Sequence, residues 1–367
     1  MKAVVSSRER VFASGNTIPR KACGTAATIE ITDIDRRIWE EELAEFVPQK
    51  IYDAHAHIYL PEHDLTGQGA NPPKSADVHD GGITQQIPAI DRETLDHLYA
   101  LLFPGREVHN VLFGWVFECV DFDAINRFVS EQAAQDPLSA PFMLTPPNFS
   151  PQHLAEQVDT YGFVGLKPYL LWTDNRWDAN ITDIIPEPLL EVANDKQLII
   201  TLHVSKRSGI SDEHNIRELI YLSGKYPKVR WILAHCARSL VVWPLEKAIE
   251  RIRDLPNLWY DISSVTDTNV YSLIFREVPL DRVLYGGDIP SDLVRGQMVG
   301  FGFAWALLTE EMIKHMNIVH CDSRSTFVLY ETLRAARRAM LREGFGCAQI
   351  EGVFYNNAVK LLDLPRG

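Results

Sequence analysis

Residues 198–237 read LIITLHVSKRSGISDEHNIRELIYLSGKYPKVRWILAHCA. An aliphatic run (198–205) gives way to a polar loop, then to an amphipathic stretch (215–226), then to a second aliphatic run (229–237). A short run with little polar alternation is a strand covered on both faces. Two such strands joined through a helix lie parallel. The stretch therefore predicts one strand–helix–strand unit.

The same unit recurs in both directions. Six further runs read as strands: 50–58 (KIYDAHAHI), 110–117 (NVLFGWVF), 141–146 (PFMLTP), 162–170 (GFVGLKPYL), 258–264 (LWYDISS) and 283–290 (VLYGGDIP). Helical stretches at 186–194 and 244–255 lie between them. Eight such units predict an α/β fold, a closed (β/α)8 TIM barrel, better than an open sheet. No GxGxxG follows the first strand and no GxxxxGK[ST] occurs, so a nucleotide-binding sheet would lack its phosphate loop. The connections 59–108 and 291–325 are long enough to be lids, and in a barrel both leave from the face that carries the chemistry. The first thirty residues are weakly periodic and read as an arm. Residues 33–46 follow with helical spacing, capped by Asp33 and ended by Pro48. The expected division is an N-terminal arm and helix (1–47) and a barrel (48–367).

The 367 residues carry 36 basic and 49 acidic side chains, a net charge of −13. That balance disfavours nucleic acid or an anionic membrane as partner, both of which require a basic footprint. No apolar run approaches the ~18 residues of a membrane span, and MKAVVSSRERVFASGN has no apolar core of a signal peptide. Cys23, Cys119, Cys236, Cys321 and Cys347 are scattered without a CxxC pair, which points to reduced thiols in a cytoplasm.

His55 and His57 stand two apart on a strand, so both imidazoles project to one side and can share a cation. Later apolar runs carry Lys167, His203, His235, Asp261 and Asp288 near their ends, at steps of 36, 32, 26 and 27 residues. Buried polar groups need partners, and a barrel gathers these positions at one mouth, where a divalent metal would satisfy them. Lys206, Arg207, Arg238 and Arg295 follow closely. In so acidic a chain they suggest a small anionic substrate, a carboxylate held by an arginine fork, with Arg238 the strongest candidate and Arg207 another. Trp115, Phe117, Tyr169, Trp172 and Trp177 could line a pocket for a ring, although core packing is the commoner role for the first two. His63 and His79 fall in the first long connection.

The HxH, Lys, His, His, Asp series, with GLKPY, LHVS, LAHCAR, YGGD and the closing NNAVKLL, resembles the amidohydrolase superfamily over about residues 48–362. Its closest likeness is to the branch called amidohydrolase family 2, which includes hydrolases, lactonases and metal-dependent aromatic-acid and semialdehyde decarboxylases. The resemblance implies His55, His57, His203 and Asp288 as metal ligands. His235 would assist catalysis or bind a second metal, and Lys167 would bridge two metals if carbamylated. This branch is mostly mononuclear, and Pro168 directly after the lysine departs from the bridging pattern, so one metal is favoured.

Three imidazoles and a carboxylate leave an open coordination position, as catalytic metal sites do. Zinc suits that set best, with Mn2+ or Fe2+ as alternatives. Asp288 would move the proton, with His235 and Lys167 stabilising an oxyanion. The expected function is hydrolysis of a C–N or C–O bond in a small acid. The alternative is a non-oxidative decarboxylase. The arm and first helix could dock on the barrel or on a second copy, which leaves a homo-oligomer open. Asp261 is expected either to position a neighbouring loop or to touch substrate.

Overall fold

A computed structural model describes residues 29–68 and 82–364. Most of the expected arm, and the part of the first long connection that holds His79, lie outside the described residues.

Eight parallel strands run in chain order around a barrel. They are β1 (Lys50–Ile58), β2 (Glu107–Gly114), β3 (Ala140–Leu144), β4 (Gly165–Lys167), β5 (Ile199–Leu202), β6 (Arg230–Leu233), β7 (Leu258–Asp261) and β8 (Val283–Leu284). The seam between the last strand and the first is joined by Ala54 N–H to Tyr285 O (2.9 Å), His57 N–H to Ile289 O (2.8 Å) and a parallel bridge from Ala56 to Ile289. The apolar runs are apolar because both faces are covered. Phe113, Phe142, Trp231 and Tyr260 are fully buried, packed between barrel interior and outer helices.

Helices Glu187–Asp195, Glu213–Lys225 and Val242–Ile252 fall where the periodicity put them, and a further helix, Arg92–Leu102, lies within the first long connection. Asp91 and Asp212 cap two of them, through Thr94 N–H and His214 N–H. Ahead of the barrel, a helix begins at Asp33, and its Trp39 stacks on Tyr330 of helix Val328–Arg342. Arg334 of that helix forks onto Glu42 (2.9 and 2.8 Å).

The connection after β8 folds into a hairpin, β9 (Gly296–Phe301) and β10 (Ala304–Thr309), followed by helix Glu310–His315. Arg295 at its root forks onto the buried Asp35 (3.1 and 2.6 Å) and reaches Glu30 O. Arg295 therefore fastens the N-terminal segment to the hairpin; it is not a mouth residue, as its place after Asp288 had suggested. Among the described residues no helix is long and apolar enough to cross a membrane.

Candidate metal centre at the barrel mouth

β1 supplies Asp53, His55 and His57 at alternate positions. His55 places its Nδ1 2.5 Å from Asp261 Oδ2, and His57 places its Nδ1 2.9 Å from Gly114 O. Each partner is an acceptor, so Nδ1 carries the proton and each ring turns a bare Nε2 inward. The two Nε2 atoms lie 3.4 and 3.5 Å from Asp288 Oδ1. The donor atoms of these three residues all lie within 4.8 Å of one another, and the three side chains are buried. Asp261 thus orients His55 through Oδ2 and, through Oδ1, accepts from Ser263 N–H (2.7 Å) of the loop that follows its strand. A second group, His55, His235 and Asp261, also meets the spacing, but Asp261 is committed to His55 Nδ1.

The local sequence around Asp288 follows from crowding. A Cβ at Gly286 would collide with the Asp261 carboxylate, and one at Gly287 with that of Asp53. The two glycines of YGGD let the eighth strand close on two buried acids. Asp53 accepts from His55 N–H (2.9 Å), Gly287 N–H (2.7 Å) and Tyr99 OH (2.8 Å), pinning β1 to the chain just before Asp288. On the other side, Ser264 Oγ lies 2.8 Å from Asp288 Oδ2 and 2.8 Å from Asp292 Oδ1. Sequence reading passed over Asp53, Ser264 and Asp292. The signal for Asp53 was present, since DAHAH sets it in alternation with the two histidines.

Burial sets the charge states. It lowers the pKa of His55 and His57, and takes His235 down to about 4, so all three are neutral near pH 7. Burial also works against the Asp288 carboxylate, yet the charge that the facing imidazoles carry once protonated at low pH holds its pKa well below the ordinary range. Lys167 is lowered to about 8, chiefly by burial. Its Nζ lies 3.1 Å from His55 Nε2 and 4.5 Å above the Phe113 ring, so it enters the same corner. Neutral imidazoles converging with an ionised carboxylate form a donor set suited to a divalent cation.

The corner opens into a cavity of about 170 Å3. His203 and His235 form part of its wall with Trp115 and Tyr169, and Met298 and Leu307 of the hairpin roof it. His203 packs against Tyr169 and His235, with ring centroids 5.2 and 5.1 Å away, and is not among the clustered donors. His235 Nε2 stands 3.9 Å from Asp288 Oδ2, and its Nδ1 pairs with Ser263 Oγ (2.9 Å).

The remaining expected residues lie elsewhere. Arg207 is exposed on its loop. Trp172 donates to Phe117 O (3.0 Å) and borders a different groove with Glu118 and Asp174. Lys206 is spent on Asp178 O (2.6 Å) and Asn180 Oδ1 (2.9 Å). Arg238 sits at the rim. Tyr59, at the start of the first long connection, packs on Trp115 of the cavity wall (ring centroids 5.7 Å), but no described part of that connection lines the cavity.

A barrel with histidines of the first strand and an aspartate after the eighth meeting at one mouth defines a class of metal-site TIM barrels. The family model described as Amidohydrolase (Amidohydro_2) matches residues 52–364, and the chain belongs to that family. No curated protein sequence matches it. Among solved structures it is similar to a 2,6-dihydroxybenzoate decarboxylase complexed with 2,6-dihydroxybenzoate (TM-score 0.54, 14% identity, 86% of this chain and 100% of that one). It is also similar to a 4-oxalomesaconate hydratase from Rhodopseudomonas palustris (0.52, 14%, 85% and 95%). A third is a probable 2-pyrone-4,6-dicarboxylic acid hydrolase from Acinetobacter baumannii with citric acid bound (0.51, 14%, 86% and 99%). At these identities the likeness is one of fold.

Proposed function

We propose that this chain is a metal-dependent hydrolase that uses water to cleave a C–N or C–O bond (amide, lactone or ester) in a small carboxylate-bearing molecule. The observation that carries the reading is the meeting of His55 Nε2, His57 Nε2 and Asp288 Oδ1 in one buried corner of an open cavity. These three residues would hold the cation, zinc first by donor type, with manganese or iron as alternatives. A bound divalent cation lowers the pKa of water toward ~7 and polarises the bond under attack.

The chain's own groups supply the rest. Asp288 takes a proton from the attacking water and returns it to the leaving group. The Ser264 hydroxyl on its Oδ2 keeps the carboxylate turned toward the histidines. Lys167 donates to the oxygen that gains charge, and neutral His235 faces the same space. His203 completes the wall where the substrate lies. A reducing, cytoplasmic setting belongs to the same reading, supported by four described cysteines that are all free.

The fold shared with a decarboxylase supports a second reading. The same corner would hold a substrate's carboxylate, and Asp288 would relay a proton from water to the carbon that loses CO2. Incubating the zinc- or manganese-loaded protein with small carboxylic amides, lactones and aromatic acids in ¹⁸O-water separates the two. Label in the product without CO2 is expected. CO2 without label replaces the hydrolase with the lyase, and neither outcome in metal-loaded protein removes both. Asp288→Asn is expected to lower turnover by about a hundredfold or more.

A further inference from the structure

What marks Arg238 among the half-buried arginines is its pair of indole contacts; Arg36 and Arg282 also use Nη1 alone, on Ile31 O and Leu255 O, with no carboxylate. Arg92, Arg176, Arg295 and Arg334 each pair with a carboxylate: Asp136, Glu118, Asp35 and Glu42. Arg106 has no acid, but its Nε, Nη1 and Nη2 all donate to backbone carbonyls. Arg238 uses Nη1 alone, on Lys206 O (2.9 Å) and more weakly on Val204 O (3.5 Å). Among the described residues no carboxylate pairs with it. Its guanidinium carbon lies 5.2 Å from the Trp177 ring and 5.9 Å from the Trp305 ring. Two indoles thus lie at cation–π distance from the guanidinium, while Nε and Nη2 have no hydrogen-bond partner among the described residues; that edge is the one a planar carboxylate takes with two parallel hydrogen bonds.

The backbone is built around this placement. His235, Cys236, Ala237 and Arg238 have φ of 55, 51, 59 and 56°, four consecutive L residues in the left-handed region. That region is disfavoured for residues with a Cβ, and strain of that kind collects at functional sites. One left-handed turn carries His235 on the cavity wall and Arg238 at the rim. Trp305 and Leu307 alternate on one face of β10, and Leu307 roofs the cavity. The clamp therefore sits one step outward from the roof.

We propose that Arg238, held between Trp177 and Trp305, is a carboxylate-binding subsite at the rim, distinct from the metal corner. Resting on the small-acid reading above, this makes the substrate a bifunctional acid. One end reacts at His55, His57 and Asp288, and a second, remote carboxylate docks on Arg238. Trp177 and Trp305 determine specificity by orienting the guanidinium.

Tryptophan fluorescence of the full-length, zinc-loaded protein tests this with glutarate, isophthalate and their monomethyl esters as probes. At least one diacid is expected to bind tenfold or more tightly than its monoester. Arg238→Gln should erase that preference while leaving monoester binding in place, and Arg238→Lys, which lacks the planar fork, should not restore it. Trp305→Leu, with melting followed by circular dichroism, keeps the test open should Arg238→Gln misfold, and it should reduce the preference at least threefold.

A diacid preference that survives Arg238→Gln overturns the proposal. So does a wild-type protein that binds each diacid no better than its monoester. In chelator-treated protein Arg238→Gln should weaken both acid and monoester, so loss of the metal reading leaves the Arg238 effect standing and the two failures are distinguishable.

Discussion

Asp261 makes the sharpest residue-level prediction. Its carboxylate fixes the His55 tautomer and ring, and partners of this kind tune a metal ligand without touching the metal. Asp261→Asn should keep the fold while weakening zinc binding by about 10–100-fold in a competition titration with a chelator; unchanged affinity would remove Asp261 from the site. Which residues were legible follows from the same distinction. His55, His57 and Asp288 stood out because ionisable groups interrupt runs that are otherwise apolar. Arg295 and Lys206 misled because a cation beside a strand end looks alike whether it awaits substrate or meets Asp35, 260 residues away in sequence. His203 was expected to join the ligands. It ends an apolar run as they do, but it is half-buried on the cavity wall, with its ring against Tyr169 and His235.

Among the elements, the strands and helices were readable and their ends were not. Residues 283–290 read as one run, yet β8 keeps only Val283–Leu284, because the chain beyond leaves the ladder to wrap two glycines around the Asp53 and Asp261 carboxylates. The left-handed turn at 235–238 had no signature at all. LAHCAR contains no glycine, and the turn is imposed by its surroundings. Gly209 is one of those: its φ is +57°, and a Cβ there would lie 3.2 Å from Arg238 O. Gly209→Ala should therefore cost about 1–3 kcal/mol in chemical denaturation, from the left-handed conformation and the contact together. A neutral substitution would mean that the turn does not lean on this loop.

For the molecule as a whole, the barrel is held at both ends by buried charge. Near the start of β2 and β3, Asp136 joins His109 (2.8 Å), Ser139 (2.9 Å) and Arg92 (3.3 Å). Burial opposes its ionisation, but His109, Leu138 N–H and Ser139 lower its pKa. A carboxylate depressed in the folded state stabilises above the unfolded value of about 3.9 and loses that contribution as pH falls through the folded value. Urea midpoints of wild type and Asp136→Asn should thus differ most near pH 7 and converge below about pH 4; a constant gap would contradict this.

At the mouth, a cation at one hundred times its dissociation constant adds about 2.7 kcal/mol, which for a chain this long raises Tm by about 3–4 °C. Chelator should reverse that rise. Anomalous diffraction from zinc-soaked crystals tests the centre most directly. One peak is expected about 2.0–2.2 Å from His55 Nε2, His57 Nε2 and an Asp288 oxygen. An empty corner, with zinc bound elsewhere or nowhere, would contradict the account.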